Sequence, residues 1–187
     1  MRGVEKSGNT AIMPCGIWAS LTDMKTMLLP IGLMMLLASC VFESPFETTA
    51  KLPVDQALLG RWQEVTSNDK LASNGLLVLQ HSANEYLVQY PEGEKGMYFR
   101  AFAVDLAGQR CMQIQLIGTA DGPVKPENRK YHLLKAALNK DELEIRTIKQ
   151  DIIGKDLRDT EALRVAYLAH KDQADLFGDP VVFRRQE

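Results

Sequence analysis

Residues 110–118 read "RCMQIQLIG", and within that run Met112, Ile114 and Leu116 alternate with Gln113 and Gln115. Successive side chains of a strand point to opposite faces, so one face takes the three apolar residues and the other both glutamines. Strands with one apolar and one polar face belong to antiparallel sheets with a single wet side.

Similar runs lie on both sides of this one. "LLGRWQEV" (58–65), "GLLVLQHS" (75–82), "EYLVQYP" (85–91) and "MYFRAFAVDL" (97–106) precede it, and "KYHLLKAAL" (130–138) and "ELEIRTI" (142–148) follow. The segments between them, such as "PEGEKG", "ADGPVKPEN" and "NKD", are rich in Gly, Pro, Asn and Asp, the residues of turns. Connections this short allow only antiparallel neighbours, because parallel pairs need crossover helices. "DTEALRVAYLAHKDQADLF" (159–177) then reads as a helix, with Asp159 as N-cap, Glu161 in the first turn and Leu163 and Tyr167 on one stripe. "GDP" stops it, and "VVFRR" (181–185) is a last strand. The expected architecture is mainly β: an antiparallel meander of about eight strands, curled into a barrel or half-barrel, with one helix before the last strand.

This order, together with Gly60-Arg61-Trp62 on the first strand, resembles the lipocalin-like barrels. In that family a GxW motif packs its indole near an arginine from the C-terminal part of the chain. The resemblance implies that role for Trp62, with Arg184 or Arg185 as the cation, although the family places its arginine elsewhere. Its second motif, a Thr-Asp-Tyr segment, is absent. Read from the residues alone, Trp62 is a first-strand core aromatic. Bulky candidates for lining such a barrel are Phe99, Phe102, Tyr131 and Leu133.

The N-terminal part reads differently. In "MKTMLLPIGLMMLLASC" (24–40) the uncharged run from Met27 to Ala38 is twelve residues long. As a helix it reaches about 18 Å, short of a hydrocarbon core of about 30 Å. It is apolar all round and contains Pro30 and Gly32, unlike an amphipathic core helix. A positive Lys25, an apolar stretch and small residues before a cut describe a secretory signal. Leu37-Ala38-Ser39-Cys40 resembles the lipobox of bacterial lipoproteins. In that family the cysteine thiol receives a diacylglycerol, the signal is removed before it, and the new amino group is acylated. An ordinary secretory signal and a buried apolar segment are the alternatives.

The resemblance implies residues 24–39 as signal peptide and Cys40 as lipid attachment, with residues 1–23 an overlong reading of the gene. Should translation begin at Met1, the same apolar stretch and box still follow. Several acyl chains hold a protein on a membrane where one chain alone is marginal. Val41 after the cysteine, in place of the Asp that retains family members at the inner membrane, favours the outer membrane. Val41 to Asp55, with Pro45 and Pro53, reads as a tether that could reach about 50 Å when fully stretched. Phe42 and Phe46 interrupt its polarity and suit either the headgroup layer or docking on the domain, which is expected over 56–187.

The remaining residues suggest no chemistry. Net charge is −2, so no basic field invites nucleic acid. Cys15, Cys40 and Cys111 form no CxxC pair, and His81, His132 and His170 have no metal-ligand spacing. His81 and Ser82 are adjacent on a strand end and so point apart. Asp141, Glu142 and Glu144 read as solvated, and Cys111 as an inert, partly buried thiol. No catalytic, cofactor or metal site is expected. The functional expectation is a non-enzymatic envelope lipoprotein facing the periplasm, binding an envelope protein or cell-wall component. The alternative is a lipocalin-like carrier of a small apolar ligand.

Overall fold

The computed structural model describes residues 41–154 and 156–187. Cys15, Cys40 and the signal segment 24–39 lie outside the described residues. Among the described residues nine strands form: β1 (Gly60–Val65), β2 (Leu71–Gln80), β3 (Tyr86–Tyr90), β4 (Met97–Leu106), β5 (Gln109–Thr119), β6 (Gly122–Pro123), β7 (Tyr131–Asn139), β8 (Glu142–Thr147) and β9 (Val181–Arg185). Each long strand pairs antiparallel with its neighbours. β4 pairs with β5 and β9 with β1, so eight strands close on themselves and the two-residue β6 is an appendage on β5. Closure leaves no free edge along the barrel, where an open meander would expose two.

Two helices lie between β8 and β9: α1 (Gln150–Ile153) and α2 (Thr160–His170). Asp159 caps α2 as the sequence requires, its Oδ1 accepting from the Ala162 N–H at 2.7 Å. The helix ends at His170, short of the expected Phe177. There the Gln173 backbone N–H turns back to the His170 carbonyl at 2.9 Å, and Leu176 folds into the core. β2 begins at Leu71, four residues earlier than its apolar run suggests. Gly75 falls inside it because Glu92 packs where a side chain would stand, 3.1 Å from the place of a Cβ.

The barrel wall has two cores. One fills the interior with Trp62, Leu76, Tyr90, Phe99, Ile114, Leu143 and Phe183 among others. The second lies outside, on β4, β5 and β7, where Phe102, Val104, Leu106, Cys111 and Leu133 meet Leu163 and Tyr167 of α2 and Ile153 of α1. Phe42 and Phe46 complete that outer core, 1% and 0% exposed, with their rings edge-on at 5.1 Å.

The expectation of a free tether over 41–55 is therefore corrected. The segment is a strap. Phe42 exchanges two backbone hydrogen bonds with Tyr131 at 2.8 and 2.9 Å. The Gln113 amide accepts from the Phe46 and Glu47 N–H groups at 2.6 and 3.1 Å and donates to the Glu47 carbonyl at 2.9 Å. At its far end Val54 enters the interior core, and its N–H donates to the Ala83 carbonyl at 3.0 Å. Two aromatic side chains and one buried amide outweigh the prolines that made the segment look like a linker.

Candidate binding site

The strand alternation that gives the barrel an apolar inside also leaves a void there. A cavity of about 90 Å³ runs between inward side chains of seven of the eight barrel strands, including Leu76, Val88, Phe99, Ile114, Ala136 and Ile145. Its lining is apolar, with Thr147, the Met112 thioether and the hydroxyl ends of Tyr86 and Tyr90 as the groups that are not hydrocarbon. Both phenols are engaged: Tyr86 accepts from the Asp55 N–H at 2.7 Å, and Tyr90 donates to Glu64 Oε2 at 2.7 Å. Val88, Met112, Ala136 and Ile145 point inward yet are only half-buried. Apolar surface of the interior is therefore left without a packing partner, an unfavourable state that an apolar ligand would relieve.

Glu64 stands inward on β1, paired across β9 with the cavity-lining Phe183. Its Oε2 accepts from Asn74 at 3.0 Å as well as from Tyr90. Burial, and then the hydrogen bond to the Glu64 carboxylate and its charge, push the Tyr90 phenol well above its ordinary range. Tyr90 thus stays a donor at any ordinary pH, and a carboxylate sits half-buried beside the cavity.

The opposite end of the barrel is plugged. Trp62 is fully buried and its indole N–H donates to the Leu58 carbonyl at 3.0 Å, in the 3-10 turn Gln56–Leu58 that leads into β1. The Arg185 guanidinium lies 4.1 Å from the centre of the indole and donates to the Leu59 and Ala57 carbonyls at 2.9 and 2.5 Å. Gly60, with φ of +123°, leaves room for that guanidinium, whose Nη1 would lie 3.2 Å from an added Cβ. Of the two candidate cations Arg185 is the one on the indole. Arg184 points outward to Asp69 and Glu142, at 2.9 and 3.0 Å.

Of the four proposed lining residues only Phe99 faces the cavity. Phe102, Tyr131 and Leu133 have the opposite strand parity and pack under the helices and the strap. Both faces of β4 and of the start of β7 are apolar, so alternation marks no inside there. Sequence reading also missed Gln113, taken as water-facing but 1% exposed, and Glu64. A polar residue on a wet face has no signal that a strap will cover it.

The other singled-out residues stay apart. His81 and Ser82 sit exposed in the β2–β3 turn, His132 is buried on β7, and His170 ends α2 with Nδ1 2.8 Å from Gln173 Nε2. Cys111 lies under α2, 3.7 Å from the Tyr167 hydroxyl, and burial pushes its thiol pKa up. Glu142 and Glu144 pair with Arg184 and Arg146. Among the described residues no three His, Cys, Asp or Glu side chains converge on a metal position, and no helix is long and apolar enough to cross a membrane. Comparison with protein-family models, curated proteins and solved structures finds no match.

Proposed function

We propose that the protein is a lipid-anchored, non-catalytic binding module of the bacterial cell envelope, whose barrel takes up the slender apolar part of a small ligand. The observation that carries the binding role is the apolar cavity with its half-buried inward side chains. The envelope placement rests on the lipobox-like Leu37-Ala38-Ser39-Cys40, and Val41 after it favours the outer membrane.

Size narrows the ligand. A dry cavity of about 150 Å³ is known to hold benzene, so a void of about 90 Å³ suits a few methylene groups of a single chain better than a ring. Charge narrows it further. The Glu64 carboxylate beside the cavity favours a head that donates, an ammonium or hydroxyl, and repels a second carboxylate.

Methyl NMR during titration with decylamine, decanol and decanoate tests this. Shifts are expected at Val88, Ile114 and Ile145, strongest with the amine, and Ala136→Phe should abolish them by filling the void. Glu64→Gln should remove the preference for amine over carboxylate. No shift at these methyls with any of the three would overturn the reading.

A second reading, docking on an envelope protein, is favoured by Val165 and Leu168, exposed by 56% and 48% on the outer side of α2. Affinity capture that an Asp at either position abolishes would support it, and capture unaffected by both would remove it.

A further inference from the structure

We propose that the barrel sits directly on a bilayer, the loop end that carries Glu43, Lys130 and Arg158 against the phosphate headgroups. The inference rests on the reading of Cys40 as the lipid attachment, and the structure adds what happens immediately after it. The Val41 carbonyl accepts from Gln150 Nε2 at 2.6 Å, and Phe42 is locked to Tyr131 on both sides of its peptide unit. Consecutive Cα atoms are about 3.8 Å apart, so lipid on Cys40 would be joined to the folded domain almost without slack.

The fold fixes which end faces the membrane. In this up-and-down barrel the β1–β2, β3–β4, β5–β7 and β8–β9 connections share one end. Tyr131 opens β7 at that end and Gln150 follows β8 there, so Val41 stands beside them. The strap then runs away from the membrane, down the wall to Asp55 and the plugged end. β4 has ten residues, about 34 Å of strand, which at a barrel tilt of 35–45° spans about 25 Å of height.

Charge at the near end agrees with the seating. The Glu43 carboxylate has two cations on it, Lys130 at 3.4 Å and Arg158 at 3.7 Å. The Arg158 side chain is 75% exposed. Arg129 and Lys149 adjoin the Tyr131 bridge and the Gln150 contact in sequence. These side chains offer phosphates local cationic partners beside Val41, interspersed with near-end carboxylates such as Asp121, Glu127 and Asp151.

The full-length protein, expressed in bacteria, extracted and reconstituted into phosphatidylethanolamine–phosphatidylglycerol vesicles, provides the test. A fluorophore is placed on Glu127→Cys, in the near-end β5–β7 connection, or on Ala83→Cys, in the far-end β2–β3 turn. Cys111, 2% exposed, does not compete for the label. Headgroup nitroxide lipid should quench the first label strongly and leave the second nearly untouched. A flexible Gly-Ser insertion between Cys40 and Val41 should erase the difference. Equal quenching at both sites in a protein whose mass carries the acyl chains, or quenching that the insertion leaves unchanged, overturns the seating while the anchor stands. A mass without acyl chains on Cys40 overturns both.

Discussion

Replacing Gln113 with Leu removes one side chain from β5, and its effect should appear 67 residues away along the chain, at Phe46. The amide makes three hydrogen bonds to the strap, at 2.6, 3.1 and 2.9 Å. At about 1 kcal/mol net for each, their loss amounts to about 3 kcal/mol of strap docking. Every 1.4 kcal/mol is tenfold, so opening of the strap should become about a hundred times more frequent. The freed groups of Phe46 and Glu47 can reach water once the strap lifts, so the loss should stay local and leave the closed barrel standing. Native-state hydrogen exchange measures this residue by residue. The Phe46 and Glu47 amides should lose about two decades of protection, while β2, β3 and β9 keep theirs. Gln115→Leu, the same change two residues on along the same face, should shift stability by less than about 0.5 kcal/mol. Unchanged exchange at Phe46, or an equal loss of protection across all barrel strands, would refute the strap as a separately opening unit.

Further outcomes follow from the plug and the buried phenols. Arg185→Met, which removes a contact over the indole and two bonds to carbonyls, should cost about 2–3 kcal/mol in chemical denaturation. Arg184→Met, which loses only exposed pairs screened by solvent, should shift the denaturation curve much less than Arg185→Met does. Tyr90 has its pKa raised in the folded state, so its contribution is whole below the unfolded value of about 10 and declines as pH rises above it. Tyr90→Phe should make the alkaline fall of stability shallower by about 1.4 kcal/mol per pH unit above pH 10, read from denaturation curves at stepped pH. Cys111 should stay silent to a thiol-colouring disulfide reagent in the native protein and react fully in denaturant, because burial disfavours its thiolate.

The parts of this molecule that could be read from sequence are those where one face of an element is wet. β5 and β8 declare their inward residues, Met112, Ile114, Leu143 and Ile145, because their outward neighbours are Gln, Glu or Arg. Asp159 declares the start of α2 for the same local reason, a cap that needs no tertiary partner. Trp62 is the buried first-strand aromatic that its apolar neighbours suggest, and the arginine over its indole comes from the last strand. Illegible were the positions decided by long-range contact. Phe102 and Leu133 suit the cavity on sequence grounds because nothing local says that a second layer covers the far side of their strands. The strap has the composition of a tether because Pro45, Pro53 and two threonines dominate it, whereas two phenylalanines decide its placement. Glu64 and Gln113 become visible only once Tyr90, 26 residues away, and Phe46, 67 residues away, are brought to them.

The doubled wall also gives the barrel an uneven stiffness. β4 and β5 are clamped between an inner and an outer layer of side chains, whereas β2, β3 and β9 have packing on their inner face and solvent behind. A guest entering the 90 Å³ void must push something outward, and only the single-backed arc can bow without tearing a second set of contacts. Were a ligand taken up as proposed, the wall would yield on the side remote from α2, and a staple across β2 and β3 would slow its exchange.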